Sequence, residues 1–402
     1  MRVVGKPPKG RALVLWFEAR CFDVGYFDIR YFDIGWIHVR NFHQVGQVDV
    51  GWLIAELRSL NPRLLHPESV VLLLAATLDY VVGDPWGWPH PVQAMGKVIA
   101  SYSRWAINSA FAPAVMKVAG FGLALLLIGG TILVSAAGLT LLAQLSPLAK
   151  GLADIVLLAS CFAGRSLRKA AEDVLSALKP KSNSRSKVLQ PDALNQEALN
   201  QARAQLARYV GRDTQTLSAP EIRRAVLETV SENAIDGVLS PLFYAIVGSW
   251  FGYAAPAALA YKAASTLDSM VGYREAPYTD LGWFSARLED GLTWLPCRLS
   301  VLTIALLSER PGHVFSTCWR DARSDPSPNA GWSECAYAAS LGVQLGGTNT
   351  YRGKTKIKPL LGDPEKPITE AVIRRAFKIT RNSFLIWLAI GISSLWALTY
   401  II

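Results

Sequence analysis

Long apolar runs separated by polar stretches dominate the pattern of this chain. The clearest run is Val118–Leu145, which contains no charged residue, and Ser383–Ile402 is a second run without charge. A helix needs about 20 predominantly apolar residues to cross the hydrocarbon core of a bilayer. Both runs therefore predict transmembrane helices, and the second one begins just after Arg381.

Four further apolar runs are shorter, or are interrupted by a charge or a proline. They are Ser69–Val82, Gly151–Gly164, Pro241–Tyr261, which is broken by Pro256, and Thr293–Leu307, which contains Arg298. With the two clear spans they predict about five or six membrane-associated helices. The predicted fold class is all-α: a polytopic membrane helical protein with cytoplasmic helical and loop segments.

Residues 1–66 differ from the rest of the chain. The units Cys21–Gly25, Tyr26–Arg30 and Tyr31–Gly35 repeat a Phe-Asp pair at the same position. Three short units are too few to stack into a solenoid with a core of its own. We therefore interpret residues 1–66 as an N-terminal extension, either poorly ordered or joined by a wrongly assigned start, and residues 67–402 as the membrane-embedded domain. The extension lacks the apolar region of a cleavable signal peptide.

Composition agrees with a membrane protein. Apolar residues make up 51% of the chain and charged residues 18%, whereas soluble domains usually contain about 25% charged residues. The formal net charge is +10, and the polar stretches 164–240 and 309–382 are both net positive, which predicts a cytoplasmic position for them. The excess of positive charge suits this topology or anionic substrates, and we expect no nucleic-acid partner.

The stretch 218–241 carries the densest candidate chemistry. A Ser-x-x-Glu capping box predicts a helix that starts near Ala219 and ends at Gly237. Three carboxylates recur every four residues and share one helical face: Glu228, Glu232 and Asp236. Because like charges at this spacing repel one another, the stripe indicates a magnesium or proton-transfer site, although a solvated acidic face is the simpler alternative.

Other familiar sites find little support in the sequence. His90 and His313 each stand alone, and the five cysteines form no Cys-x-x-Cys pair, so a histidine metal site or a zinc site is not expected. The segment Gly347–Thr355 resembles a P-loop, but it has one residue too many between its glycines, and neither the strand nor the helix of that motif is evident around it.

Seven separated motifs follow one another along the chain. They are Asp79 with Gly83–Val92, Gly211–Thr214, Glu228–Gly237 with Ser240–Phe243, Thr266–Tyr273, Ala286–Asp290 with Pro296–Leu299, Pro328–Trp332, and Leu345–Gly347. In this order they resemble the motifs of the adenosylcobinamide-phosphate synthase family. The resemblance covers roughly residues 69–365. Cys297 and Ser265 depart from the pattern of the family.

The resemblance implies a reaction and a set of partners. Enzymes of this family join adenosylcobyric acid to aminopropanol or its phosphate through an amide bond and consume ATP. ATP and Mg²⁺ would then serve as cosubstrate, the corrinoid would be a substrate rather than a prosthetic group, and the lipid bilayer would surround a multi-pass protein of the cell membrane with a cytoplasmic active site. The oligomeric state and the phosphorylation of the amine stay open.

Motif position and charge type then assign candidate residues. The predicted catalytic residues are Glu228, Glu232, Asn233, Asp236, Asp268, Arg274 and Asp290, with Glu228 or Asp268 as the base for the incoming ammonium. The predicted substrate-binding residues are Asp84, His90, Arg212, Asp213, Tyr273, Arg287, Asn329, Gly331, Gly346 and Gly347. Glu232 and Asp236 are the predicted magnesium ligands.

Two alternatives and one conflict accompany this interpretation. A membrane transporter that uses the acids as a relay, or a regulatory membrane protein of related fold without catalysis, would carry similar apolar runs. The conflict concerns residues 262–292, which would lie outside the cell if every apolar run crossed the bilayer. Because Asp268 must work with Glu232, we expect either Pro241–Tyr261 or Thr293–Leu307 not to span.

Overall fold

The computed structural model describes residues 66–83, 90–179 and 196–401. Its first helices are α1 (Pro67–Val81), α2 (Pro91–Asn108), α3 (Pro113–Leu145), α4 (Pro147–Ala159), α5 (Gly164–Ala177) and α6 (Gln196–Leu206). Its later helices are α7 (Ala219–Ala234), α8 (Ser240–Ser249), α9 (Ala254–Val271), α10 (Trp283–Leu307), α11 (Pro311–Asp321), α12 (Ala330–Leu341) and α13 (Glu370–Ile401). Two strands, β1 (Leu345–Tyr351) and β2 (Lys354–Leu361), form a hairpin. The predicted all-α class is confirmed, while the extension 1–66, apart from its last residue, lies outside the described residues.

Four segments within the described residues are long and apolar enough to cross a membrane. They are Pro113–Leu145, Pro147–Ala177, Trp283–Leu307 and Glu370–Leu398. The most apolar window of α3 is only 11% buried inside the protein, and side chains such as Leu133 and Val134 point outward. Apolar side chains that find no protein neighbour need lipid around them. Both clearly predicted spans are therefore confirmed, and the protein is a membrane protein.

The apolar run Pro241–Tyr261 does not form a single helix. It breaks at Trp250–Tyr253, not at Pro256, and gives α8 and α9, which fold back on each other. A helix of ten residues such as α8 is about 15 Å long, half the thickness of the hydrocarbon core. Neither α8 nor α9 is among the described segments long and apolar enough to cross a membrane, so of the two runs of which one is expected not to span, we predict that it is Pro241–Tyr261.

Close contact between α8 and α9 depends on Gly248. A Cβ at this position would lie 2.5 Å from the carbonyl oxygen of Tyr253 and 2.6 Å from the Cβ of Ala257. Farther from the turn, Tyr244 stacks on Tyr261 with ring centroids 5.0 Å apart and planes inclined by 15°. The helical pair thus returns the chain to the side from which it came, and Asp268 lies near the end of the returning helix.

The helix that carries the acidic stripe begins as predicted but does not end as predicted. The backbone N–H of Ser218 donates to Oε2 of Glu221 at 2.7 Å, which confirms the capping box. Gly237 does not terminate the helix: residues Ile235–Leu239 form a π-helical turn that continues directly into α8. Gly237 instead allows close packing against α5, since its carbonyl accepts a hydrogen bond from the N–H of Ala163 at 3.0 Å.

This continuous helix connects two hydrophobic cores. One core joins α5, α6, α7, α11 and α12 with the hairpin, and it includes Ala234 and Val238. The other joins the apolar helices α1 to α4, α8 and α9, and it includes Ile235 and Leu239. Successive residues of the π turn therefore enter different cores. Polar side chains at this junction lie at the boundary between the apolar bundle and the more polar half.

The hairpin lies where the sequence offered only a poor match to a P-loop. Strands β1 and β2 are antiparallel, with Thr350 opposite Thr355 and an irregularity between Leu345 and Gly347. The turn residues Arg352 and Gly353 have φ angles of 50° and 73°, as expected for a tight hairpin turn. No helix follows β2 closely, which agrees with the rejection of a P-loop.

Candidate active site

Five carboxylates from three helical segments form an acidic cluster at the junction of the two cores. Glu232 belongs to α7, Asp236 to the π turn, Asp268 to α9, and Glu289 and Asp290 to α10. Each interacts electrostatically with others of the set. The structure thus brings together four predicted residues, and the helical pair α8–α9 places Asp268 beside Glu232, as the sequence analysis expected.

Burial and mutual repulsion change the acidity of this cluster. Asp236 is surrounded by protein but remains partly accessible to solvent. Burial, followed by the charges of Glu289, Glu232 and Asp268, raises its pKa well above the ordinary value. Burial, followed by the charges of Asp290 and Glu232, raises the pKa of Asp268 to about 6. Repulsion among carboxylates of this kind is typical of sites that take a proton or a cation.

Glu289 is the cluster member that the sequence analysis missed. Its carboxylate is buried and accepts a hydrogen bond from the hydroxyl of Thr293, which also contacts the hydroxyl of Tyr261 at 2.8 Å. The spacing of Glu289 and Thr293, four residues apart on α10, was visible in the sequence. What the sequence did not show was that this face of α10 turns toward Asp236.

Glu228 belongs to a different set of contacts from the rest of its stripe. Its carboxylate forms a buried ion pair with Arg212, contacts Nη1 of Arg224 at 3.2 Å, and accepts a hydrogen bond from the N–H of Gly346 at 3.0 Å. Nη1 of Arg212 also donates to Oδ1 of Asn349 at 2.8 Å. The hydrogen bond to Gly346 means that Glu228 holds β1 against α7. Arg212 is the cation that balances its charge.

Gly346 and Asp213 shape the hairpin beside these residues. Gly346 has a φ of 85°, and a Cβ there would lie 1.8 Å from the carbonyl oxygen of Pro359. The carboxylate of Asp213 accepts hydrogen bonds from the N–H groups of Arg352 and Gly353 at 3.1 and 2.8 Å. Both predicted residues therefore fix the shape of the hairpin, while Gly347, with a φ of 88°, leaves its backbone partly exposed.

A half-buried lysine from the hairpin interacts electrostatically with the acidic stripe. Nζ of Lys358 lies 2.9 Å from Oε1 of Glu334 on α12, whose side chain is fully buried. Burial, then the charges of Glu232 and Glu228, raise the pKa of Glu334 to about 8 although Lys358 opposes the shift. The pKa of Lys358 is also raised, because these three carboxylates outweigh the opposing effect of burial. Lys358 therefore stays charged at one end of the cluster, and neither residue of this pair was predicted.

Two arginines lie at the other end of the cluster. Arg274 and Arg287 are exposed and interact electrostatically with Asp290. The guanidinium of Arg287 also stacks on Trp283 at 4.5 Å from the ring centre. Both were predicted, and both could meet an anion that approaches the acids from solvent.

Asn329 and Gly331 connect this end of the cluster to α12. The side chain of Asn329 donates to the carbonyl of Asp290 at 2.9 Å and accepts from Nη1 of Arg298 at 2.9 Å. A Cβ on Gly331 would lie 2.4 Å from the carbonyl oxygen of Ala322. Asn329 thus lies next to the acids, whereas Gly331 allows the start of α12 to pack closely against Ala322.

The remaining predicted residues have mainly local contacts. Nδ1 of His90 accepts from the N–H of Val92 at 3.2 Å and caps α2. The side chain of Asn233 donates to the carbonyl of Thr229, and the hydroxyl of Tyr273 donates to the carbonyl of Ser269. Asp84 lies outside the described residues.

The acids fit a magnesium ion only together with a substrate. Across the part of the chain that the structure describes, no three histidine, cysteine or acidic side chains are arranged to hold a metal by themselves. Glu232 and Asp236 nevertheless supply the hard oxygen donors that Mg²⁺ prefers, and a cation would relieve the repulsion that raises the pKa of Asp236. Magnesium often takes its other ligands from substrate phosphates and water.

The fold and the site define a membrane-embedded helical protein with a cluster of carboxylates flanked by cations at both ends. A family model described as CobD/Cbib protein matches residues 72–380. The chain belongs to this family of cobalamin biosynthesis proteins, which confirms the resemblance to adenosylcobinamide-phosphate synthases.

Individual relatives agree over most of their length. A cobalamin biosynthesis protein CobD of Synechocystis is 45% identical over 345 residues, 85% of this chain and 96% of the relative. A CobD of Photorhabdus laumondii is 39% identical over 73% of this chain and 87% of its own. A cobalamin biosynthesis protein CbiB of Salmonella arizonae is 34% identical over 80% and 95%. No solved structure matches the chain.

Proposed function

We propose that the protein acts in cobalamin biosynthesis as an ATP-dependent amide-forming ligase. It would join the free carboxylate of adenosylcobyric acid to (R)-1-aminopropan-2-ol or its phosphate, giving adenosylcobinamide or its phosphate. The observation that supports this most is the arrangement of the acidic cluster, with Lys358 at one end and Arg274 and Arg287 at the other. Such an arrangement can bring a nucleotide and a carboxylate substrate together from two sides.

The reaction requires activation of a carboxylate. In the proposed path, a carboxylate oxygen of the corrinoid attacks the γ-phosphorus of ATP, the bond to ADP breaks, and an acyl phosphate forms. The amine nitrogen then attacks the acyl carbon, and inorganic phosphate leaves with the electrons of the broken C–O bond. Charge develops on the transferred phosphoryl group in the first step, where Lys358 and the arginines would stabilise it.

Asp268 is the proposed base for the amine. The incoming ammonium must lose a proton before its nitrogen can attack. With a pKa of about 6, Asp268 is mostly ionised at neutral pH and yet more basic than an ordinary aspartate, as general-base catalysis favours. Glu228 is occupied by two arginines and a backbone N–H, so in this proposal it positions the hairpin and does not accept the proton.

Magnesium would be held by Glu232 and Asp236 together with the phosphates of the nucleotide. When bound there, it would neutralise charge on the phosphates. Because ATP is cytoplasmic and the polar stretches are net positive, the proposed location is the cell membrane with the active site on the cytoplasmic side.

Substitution of the two proposed metal ligands tests this function. We expect Glu232→Gln and Asp236→Asn each to lower turnover by about 100-fold or more, measured as amide product formed by purified full-length protein from adenosylcobyric acid, aminopropanol phosphate and Mg-ATP. Glu309→Gln is the matched control, since Glu309 is 81% exposed and pairs with Arg375 at the surface. Near-normal turnover in both variants would remove these residues from the mechanism.

A feeding experiment separates the enzyme from the transporter and regulatory alternatives. A bacterial strain that lacks its own synthase would be supplied with a corrinoid precursor and given this chain. Restored formation of cobinamide supports the ligase, and continued accumulation of the precursor contradicts it.

A further inference from the structure

A cavity of about 580 Å³ lies between α10, α11 and α12. Its walls include three tryptophans, one from each helix: Trp294, Trp319 and Trp332. Trp294 and Trp319 are 51% and 64% exposed. Large exposed aromatic side chains grouped around one opening are typical of a binding surface.

Two guanidinium groups lie against these rings. Arg298 lies 5.2 Å from the ring centre of Trp294 and 4.9 Å from that of Trp332. Two of its nitrogens donate to Oδ1 of Asn329 and to the carbonyl of Pro328, at 2.9 and 2.8 Å. Arg298 is therefore fixed in place. We call the three tryptophans together with Arg298 and Arg323 the Trp–Arg pocket.

Arg323 is the second cation of the Trp–Arg pocket. Its guanidinium lies 3.8 Å from the ring centre of Trp319, and the residue is exposed to solvent. Stacking on an indole orients the guanidinium plane but leaves its N–H groups at the edge available. The pocket thus combines aromatic walls with donors suited to carbonyl and carboxylate oxygens.

The Trp–Arg pocket is connected to the acids through Asn329. The amide of Asn329 donates to the carbonyl of Asp290 at 2.9 Å while its oxygen accepts from Arg298. Nη2 of Arg274 reaches the carbonyl of Pro326, which also lines the cavity, at 3.4 Å. A ligand seated in the pocket would therefore lie at the Asp290 end of the cluster, away from the end where Lys358 meets Glu232.

We propose that the Trp–Arg pocket binds the macrocycle of the corrinoid substrate, an inference that rests on the proposed function. A corrinoid is a large conjugated ring with amide arms, so it offers an apolar face to indoles and many carbonyl oxygens to guanidinium donors. Its free carboxylate arm would extend past Asn329 toward Asp268. The nucleotide would occupy the opposite end of the cluster, beside Lys358 and the exposed backbone of Gly347.

Direct binding measurements on full-length protein in detergent test this assignment. The ligands are dicyanocobyric acid, detected by quenching of tryptophan fluorescence, and Mg-ATP, detected by calorimetry. We expect Trp319→Ala and Arg323→Gln each to raise the dissociation constant for the corrinoid about tenfold, the effect of losing one aromatic or cation contact. The dissociation constant for Mg-ATP should change less than about twofold, within the scatter of distant surface substitutions.

Matched controls lie elsewhere on the surface. Trp105→Ala removes a tryptophan of α2 that is 54% exposed, and Arg168→Gln removes an exposed arginine that pairs with Glu172. Both should bind the corrinoid as the unaltered protein does. They also correct for any loss of fluorescence that follows from removing an indole.

The outcomes separate this inference from the proposed function. Unchanged corrinoid affinity in the Trp319→Ala/Arg323→Gln double variant, in a protein that still forms amide, would overturn the pocket assignment alone. Weakened Mg-ATP binding with unchanged corrinoid binding would assign the pocket to the nucleotide and overturn it as well. If the unaltered protein bound no corrinoid and formed no amide, the proposed function and this inference would both fall.

Discussion

Asp268 shows how a single carboxylate acquires its chemistry from its neighbours. Its pKa is raised to about 6 by burial and by the charges of Asp290 and Glu232. The deprotonated form is the proposed base, so activity should rise as the pH increases through about 6 and level off above it. The measurement is kcat/KM for the amine between pH 5 and 8.

The variant Asp268→Asn supplies the corresponding control. It should retain little activity, and the remaining activity should no longer rise near pH 6. Asp280→Asn, which removes a partly exposed carboxylate paired with Lys117, should keep the normal profile. A rise near pH 6 that persists in Asp268→Asn would show that another group titrates there.

The pair Lys358–Glu334 joins a half-buried lysine to a fully buried carboxyl, and its loss should be costly at pH values where both groups are charged. Removing one partner of such a pair leaves a buried charge and typically costs roughly 3 to 5 kcal/mol. In Lys358→Met the remaining charge is that of Glu334, which can take up a proton. The pKa of Glu334 is about 8 even with Lys358 present, so the loss of stability should be larger at pH 9 than at pH 6.

Thermal unfolding in detergent at the two pH values measures this effect. Lys356→Met is the matched control on the same strand, because Lys356 pairs with Glu275 at a surface where both side chains are more than half exposed. A surface pair is worth about 0 to 1 kcal/mol. Equal losses in the two variants would contradict a structural role for the buried pair.

At the scale of elements, the contact between α8 and α9 determines where Asp268 lies. Gly248→Val would place side-chain atoms where the carbonyl of Tyr253 and the Cβ of Ala257 already are. The two helices must then separate, and a shift of about 1 Å at a catalytic group can lower activity 100-fold. We expect a lower melting temperature and lost turnover, measured by thermal unfolding and by amide formation.

Gly138→Val on α3 is the control for that substitution. A Cβ at Gly138 would meet no atom within 4 Å, so this variant should keep both stability and turnover. If Gly248→Val were as active as the unaltered protein, the position of Asp268 would not depend on the contact between α8 and α9.

Elements differ in how far the sequence predicts them. The spans in α3 and α13 follow from length and composition alone, and the capping box fixes the start of α7. The π turn was not predictable, because Gly237 reads as a helix terminator unless its contact with Ala163 is known. The hairpin had a local signal, Arg352-Gly353 between two strand-forming runs, but the same segment also resembles a P-loop.

The candidate site was predictable only within single segments. Spacing of four residues placed Glu232 and Asp236 on one face, and motif position added Asp268 and Asp290. The partners Glu289, Glu334 and Lys358 come from segments that are distant in sequence. Each joins the site because one particular face of its segment turns inward. The packing of the two cores decides which face that is, and the periodicity of a single segment does not specify this packing.

At the scale of the whole molecule, the antiparallel pair α8–α9 predicts on which side of the bilayer residues 262–292 lie. Since α8 and α9 turn back at Trp250–Tyr253, the segment after α9 returns to the side of the bilayer where α7 began. Lys356 on β2 pairs with Glu275 in the loop after α9, so the loop near Thr279 and the strand near Thr355 should face the same compartment, although α10 between them is long and apolar enough to cross. In contrast, α3 is 33 residues long, about 50 Å, so Leu148 just beyond its end should lie at the opposite face.

Labelling of single introduced cysteines in whole cells measures this arrangement. Thr279→Cys and Thr355→Cys, both at exposed positions, should resist a membrane-impermeant maleimide until the cells are opened, as cytoplasmic residues do. Leu148→Cys, at a position 71% exposed, should react without opening the cells. The native cysteines in the described part of the chain are buried, and unaltered protein corrects for their labelling. If Thr279→Cys reacted from outside while Thr355→Cys did not, α8 and α9 would have to cross the bilayer as one span, and the acidic cluster could not form from segments on a single side.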